Sequence, residues 1–118
     1  MKDFEIEIYR TADGKSQLDD FVNKMDIKTR AKYISYVELL EQRGSFLRMP
    51  YSKCLEEGIF ELRIDVFGKF TRILYFFIKG RRIILTNGFI KKANKTPPGE
   101  IEKAIKYRND YLERTKYD

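Results

Sequence analysis

Residues 60–90 read FELRIDVFGKFTRILYFFIKGRRIILTNGFI, and this stretch decides the fold class. Phe60, Leu62, Ile64 and Val66 alternate with Glu61, Arg63 and Asp65, the period-two pattern of a strand with one buried face. After Gly68, residues 70–78 are dense in aromatic and β-branched side chains, which suit a second strand. Lys79-Gly80-Arg81 reads as a tight hairpin turn. Residues 83–90 then form a third strand, whose near-continuous apolar run implies burial on both faces and so a central or helix-covered position.

Upstream of this block, Phe4, Ile6 and Ile8 alternate with Glu5, Glu7 and Tyr9 and predict a strand over residues 3–10. Residues 11–15 read as a turn. Ser16, with Asp19 three positions later, has the shape of a capping box that opens a short helix through Leu18, Phe21 and Val22. A second helix takes Ala31, Ile34, Val37 and Leu40 as its inner stripe, flanked by Tyr33 and Tyr36, and stops at Gly44. Residues 45–57, with Pro50, show no clean period and are expected to be irregular. Downstream, Thr96 and Pro97 suit the N-cap and first residue of a last helix with Ile101, Ala104, Ile105 and Leu112 inside. Lys116, Tyr117 and Asp118 are expected to fray. The order β-α-α-β-β-β-α is that of an α+β fold, a small antiparallel-rich sheet packed on N-terminal helices.

A chain of 118 residues with 42% hydrophobic content suits one domain over residues 1–118. No stretch approaches the roughly 18 apolar residues of a membrane helix. The start, MKDFEIEIYR, is charged where a secretory leader is apolar, so a cytoplasmic location is expected. With Cys54 alone and no histidine, neither an internal disulfide nor a soft-ligand metal site is expected, and no cofactor is called for. The net charge of +6 and pI near 9.4 point to a polyanionic partner. No acidic residue lies between Asp65 and Glu100, while Lys69, Arg72, Lys79, Arg81, Arg82, Lys91, Lys92 and Lys95 all do. A solvated face normally mixes signs, so this block is the expected phosphate-facing segment.

Three short motifs follow in order: Gly58-Ile59-Phe60-Glu61-Leu62-Arg63, then Arg72-Ile73-Leu74-Tyr75, then Gly88-Phe89-Ile90-Lys91-Lys92 with Lys95-Thr96-Pro97. Together they resemble the phage-derived HigB-like branch of the RelE/ParE toxin superfamily, over roughly residues 58–112. That resemblance implies a RelE-like fold with an RNA-cleaving groove on the sheet face opposite the backing helices. It implies a toxin of a type II toxin–antitoxin system that cleaves mRNA on the ribosome, together with a helix-turn-helix antitoxin of the HigA type. Operator DNA would be contacted only through the antitoxin. The family's phosphate-binding cations carry over to Arg63, Arg72, Lys91 and Lys92 as the expected catalytic set, with Glu61, Lys69 and Lys95 as expected substrate-binding residues. The proton-transferring tyrosine or histidine that some RelE-type toxins place late in the chain has no clear match here, and Tyr107 and Tyr111 are on the last helix.

RNA is cut without a metal when its 2′-hydroxyl attacks the adjacent phosphate, which needs a base, an acid and positive charge on the phosphoryl oxygens. Without histidine those roles fall to lysine, arginine, tyrosine or a carboxylate. Crowding among cations lowers a lysine pKa, and Lys91, Lys92 and Lys95 supply such crowding. Arginine stays charged and suits charge stabilisation. By strand parity Arg63 leaves the core side with Glu61 and Asp65, on a face expected to be exposed. Arg72 shares parity with Phe70, Leu74 and Phe76, so it emerges at the strand's end or lies on a partly covered face. Lys91 and Lys92 point to opposite sides of a regular strand.

Each residue also has a plainer reading. Arg63 with Glu61 makes a surface ion pair, Arg72 bridges to Glu5 or Glu7 of the first strand, and the three lysines form a solubilising loop. Tyr75, Phe76, Phe77 and Phe89 read as core, and Cys54, with no histidine to activate it, is not a nucleophile. Two other functions share the fold and charge: a ParE-like non-enzymatic DNA gyrase inhibitor, and an RNA-binding module without cleavage. Convergence of the cations in one concave groove is what the nuclease needs and the gyrase binder does not.

Overall fold

A computed structural model describes residues 3–79 and 81–116. The chain forms β1 (Glu5–Ile8), α1 (Gln17–Asn23), α2 (Ile27–Arg43), a 3₁₀ turn (Gly44–Phe46), β2 (Ser52–Cys54), β3 (Phe60–Val66), β4 (Lys69–Ile78), β5 (Arg82–Lys91) and α3 (Pro98–Thr115). The five strands make one mixed sheet in the order β1-β5-β4-β3-β2. Only β1 runs parallel to its neighbour, and the other three pairings are antiparallel. The α+β class and the antiparallel-rich sheet agree with the sequence reading. The element order does not quite agree: the stretch expected to be irregular contains β2, which pairs Lys53 with Glu61 along β3. Three residues are too few to show a period.

The sheet is covered on both faces. Leu62, Ile64, Ile73, Tyr75, Ile83 and Leu85 pack with Leu18, Tyr33 and Leu40 of α1 and α2. On the other face Ile59, Leu74, Phe76, Ile84 and Phe89 meet Ala104 and Tyr111 of α3. As its apolar run implied, β5 is central, between β1 and β4. Of the aromatics expected in the core, Tyr75, Phe76 and Phe89 are buried, and Phe77 is half-buried against the α1–α2 side.

Caps and inner stripes follow the sequence pattern less evenly. The Ser16 hydroxyl accepts from the Asp19 amide at 3.0 Å and opens α1, and Gly44 closes α2 at a φ of 50°. In α2 the buried positions are Thr29, Tyr33 and Leu40, whereas Ala31 is exposed and Ile34 is 49% exposed. The expected stripe was therefore rotated, because apolar residues occur on both sides of this helix and tyrosine takes the inner side. Thr96 does not cap α3: Pro97 holds the N-cap position and the Thr96 hydroxyl turns to the Glu61 carboxylate. Tyr111 takes the inner position expected of Leu112. The β3–β4 turn holds Phe67 and Gly68 at φ of 48° and 78°, both left-handed, as a two-residue hairpin of the primed kind requires. Gly80 of the expected second hairpin turn, and Tyr117 and Asp118 of the expected frayed end, lie outside the described residues.

One irregularity sets which side chains face where. Ile73 pairs with Gly88 but Tyr75 pairs with Leu85, so Thr86 and Asn87 stand opposite Leu74 alone. This bulge reverses the facing of β5 beyond Leu85. The Thr86 hydroxyl donates to the Leu74 carbonyl, and the Asn87 amide donates to the Glu100 carboxylate at 3.1 Å, tying the first turn of α3 to the sheet. Past Leu85 the β5 edge has outrun the short β1. There the Gln17 side chain stands in for a strand, donating to the Gly88 carbonyl and accepting from its N–H.

Gly88 also lies under the Phe21 ring, where an added Cβ would sit 2.6 Å and 2.9 Å from ring carbons. Gly88→Ala is therefore expected to cost about 1–3 kcal/mol of stability, the usual range for overpacking. Chemical denaturation checks this, and an unchanged midpoint would mean that α1 shifts without cost.

Candidate active site

The candidate site is at the end of the sheet that α3 leaves open. Glu61, Arg63 and Asp65 alternate along β3 on the α3 side, and Arg72 of β4 lies directly opposite Arg63 in register. Two arginines facing each other repel, so the arrangement depends on the carboxylates on either side. Arg63 Nη1 donates to Glu61 Oε2 at 2.7 Å. Arg72 Nη1 donates to Asp65 Oδ1 at 2.5 Å and to the Thr71 carbonyl at 3.0 Å. Its Nε is buried without a hydrogen-bond partner and lies 3.8 Å from Glu61 Oε1, which accepts from the Thr96 hydroxyl at 2.8 Å.

Burial separates these groups. The Glu61 and Arg72 side chains are 1% and 2% exposed, whereas that of Arg63 is 19% exposed. The face expected to expose Glu61 instead closes over it, with Arg63, Arg72 and Thr96 as the lid. The plain reading that paired Arg72 with Glu5 or Glu7 is also corrected: its acids are Asp65 and Glu61 of β3.

Arg63, Arg72, Lys91 and Lys92 line one hollow of about 320 Å³, together with Phe70, Ala93 and Asn94. The bulge in β5 turns Lys91 toward this side. The regular strand ends at Lys91, so the opposed directions expected of Lys91 and Lys92 do not arise. Burial, with repulsion from Arg72, Arg63 and Lys53, lowers the Lys91 pKa below its ordinary 10.5 against an opposing pull from Glu61. No carboxylate lies within ion-pair distance of Lys53, Lys91, Lys92 or Lys95 among the described residues. A second hollow of about 360 Å³ shares Lys91 and Asn94 and adds Lys53, Glu56, Lys95 and Thr96.

The structure thus brings together Arg63, Arg72, Lys91 and Lys92, with Glu61 beneath and Lys95 in the adjoining hollow. It does not bring Lys69. That ammonium lies 3.1 Å from Asp26 at the start of α2, away from both hollows. Hydrogen bonds from the Thr29 amide, Lys69 and the Thr29 hydroxyl, in that order, lower the Asp26 pKa to about 2. Tyr111 is held between Glu7 and Arg82, and Tyr107 stacks on Tyr9 with ring centres 4.6 Å apart. Neither tyrosine lines a hollow at this site.

A family model described as Phage derived protein Gp49-like (DUF891) matches residues 20–109. The chain belongs to that family. No curated protein matches the chain. The span shared with the Gp49-like family contains every residue lining the two hollows. Sequence reading missed Lys53, Phe70 and Asn94. Lys53 is on the strand too short to recognise, and Phe70 shares parity with buried Leu74 and Phe76, so parity alone gives no sign that it lines a hollow. Asn94 follows the last strand, where no periodicity operates.

Glu61 is the member whose loss is most costly to the fold, because it would leave the buried Arg72 with one carboxylate and the Thr96 hydroxyl with none. Glu61→Ala is expected to destabilise the protein by about 3–5 kcal/mol, the range for removing one partner of a buried pair. Urea denaturation measures it. A loss below about 1 kcal/mol would show that Asp65 alone compensates Arg72.

Proposed function

We propose that this Gp49-like chain is the toxin of a type II toxin–antitoxin pair and cleaves mRNA on the ribosome without a metal. The observation that carries this reading is the convergence of Arg63, Arg72, Lys91 and Lys92 on one concave hollow. A gyrase inhibitor of the ParE kind, working through protein surface, has no need of it. Membership of a phage-derived family and the order of the three motifs support the same assignment, as does the excess of cations over carboxylates at the site. A RelE-like fold, a cytoplasmic site of action and a HigA-type helix-turn-helix antitoxin belong to the same proposal. Among the described residues no helix is long and apolar enough to cross a membrane.

The chemistry follows from the placement. The scissile phosphate sits in the hollow, with its non-bridging oxygens toward Arg63 and Lys92. The 2′-oxygen forms a bond to phosphorus as the bond to the 5′-oxygen breaks, giving a 2′,3′-cyclic phosphate and a 5′-hydroxyl. Lys91, in its neutral form, accepts the 2′-hydroxyl proton. Its lowered pKa makes that form more available at neutral pH than for an ordinary lysine. A water protonates the leaving oxygen, and the resulting hydroxide takes the proton from the Lys91 ammonium, which regenerates water and the neutral base. Arg72, buried and clamped by Asp65, acts as a fixed positive charge beneath the phosphate and requires no reorganisation during reaction.

Mapping 5′ ends of one messenger in a translation mixture, with and without ribosomes, tests the assignment. Arg63→Ala is the informative variant because Arg63 is partly exposed and its removal leaves the Arg72–Asp65 pair intact; since it also takes a donor from the buried Glu61, the variant is first shown to fold by circular dichroism and thermal melting. Ribosome-dependent cuts by the wild type that fade in Arg63→Ala are expected, whereas an uncut messenger with growth still arrested would sink the nuclease reading. The role of Lys91 has its own signature. The cleavage rate should rise with pH and level off below 10.5, and Lys91→Arg should remove that rising limb and slow cleavage about 100- to 10,000-fold. An unchanged profile in Lys91→Arg would assign the base elsewhere.

A further inference from the structure

Phe70 is the second residue of β4, with Asp65 and Lys91 as its partners across the two neighbouring strands. Its side chain is 46% exposed. Among the described residues the other exposed large hydrophobics are Ile27, Ile34, Phe46, Met49, Phe67, Ile90 and Leu112, and none of these lines the cationic hollow. Scattered exposed apolar residues are ordinary on a protein surface. A half-exposed ring set among Arg63, Arg72, Lys91 and Lys92 is a more specific combination.

The ring also has no aromatic stacking partner among the described residues. Lys28 stands 4.7 Å from the centre of the exposed Phe67 ring, but among the described residues no lysine or arginine caps Phe70. The hollow therefore offers a half-exposed aromatic ring beside Lys91 and Lys92, which no carboxylate pairs among the described residues. A phosphate alone satisfies the cations and leaves the ring wet, and an apolar ligand does the reverse. A nucleotide with its base unstacked from its neighbours satisfies both, since each base has a π-face and an adjoining anionic phosphate.

We propose that Phe70 is the stacking platform for one unpaired RNA base, next to the phosphate engaged by Arg63 and Lys92. This rests on the RNA-cleaving reading and adds to it the single-stranded state of the substrate and the residue that seats its base. Stacking tolerates any base, so Phe70 contributes affinity and register, while sequence preference comes from elsewhere.

The test uses a 2′-O-methyl RNA nonamer, which lacks the attacking hydroxyl and is not consumed, with 2-aminopurine placed at successive positions. For the wild type, fluorescence is quenched at one position, and an abasic residue at that position weakens binding about 5- to 100-fold, as expected for loss of one stacked base. Phe70→Leu weakens binding of the intact oligomer by a similar factor, abolishes the quench and leaves the salt dependence unchanged. Phe70→Trp retains both affinity and quench. Lys92→Ala lowers the slope of log affinity against log salt by about one and leaves the quench in place. A Phe70→Leu protein that binds and quenches like the wild type overturns the stacking role, as does a wild type indifferent to an abasic residue at every position. A wild type that binds no oligomer, either free or carried as messenger on ribosomes, overturns the RNA reading beneath it.

Discussion

The Glu61 carboxylate is the constraint on which the site depends. Removing a carboxylate from water is expensive unless charged and polar donors replace its hydration. Arg63 and the Thr96 hydroxyl donate to its two oxygens, and Arg72 lies near one of them. The dependence runs both ways. Arg63 and Arg72 are opposed in register and would repel each other without Glu61 on one side and Asp65 on the other. Thr96 belongs to the segment joining β5 to α3, so the same carboxylate also fixes where the last helix begins. Three separate parts of the chain meet on one acid.

The bulge in β5 decides what else joins them. With a regular strand, Lys91 would share the face of Leu85, which packs against α1 and α2. The extra residue at Thr86 and Asn87 moves Phe89 to the α3 side, and Lys91 goes with it to stand near Arg72. The bulge is itself fastened at two points, by Thr86 to the Leu74 carbonyl and by Asn87 to Glu100. Packing on one side and a helix tether on the other therefore hold the lysine in place. A surface lysine on a flexible stem has no such support.

These two features explain what could and could not be read from the chain. Strand alternation in residues 60–66, the continuous apolar run of residues 83–90 and the Ser16 cap are local signals, and each matches its element. The class of fold and the central place of β5 follow from them. The parity rule put Glu61, Arg63 and Asp65 on one face correctly, but parity cannot say whether a face is covered, and Arg63, Arg72 and Thr96 close over Glu61. Nor does parity survive a bulge, so the facing of Lys91 was beyond it. Lys69 shows another limit. It lies in the same acid-free stretch as Arg72, yet its charge is matched by Asp26, 43 positions earlier in sequence. An acid-free interval does not exclude a distant acid.

The site also divides its cations by burial, and the division fits their chemistry. Arg72 is enclosed and clamped, so it cannot follow a substrate, but a fixed charge at low exposure is only weakly screened by solvent. Arginine suits this place because it stays charged there. Lys91 is intermediate in exposure and is the one whose charge the surroundings oppose, through burial and three neighbouring cations. Lysine suits that place because it can yield its proton. Exchanging the two would defeat both: an arginine at position 91 stays protonated, and a lysine at position 72 lacks the forked donor that Asp65 and the Thr71 carbonyl receive. In the proposed chemistry, which has no histidine to draw on, proton transfer rests on a lysine whose charge its surroundings oppose.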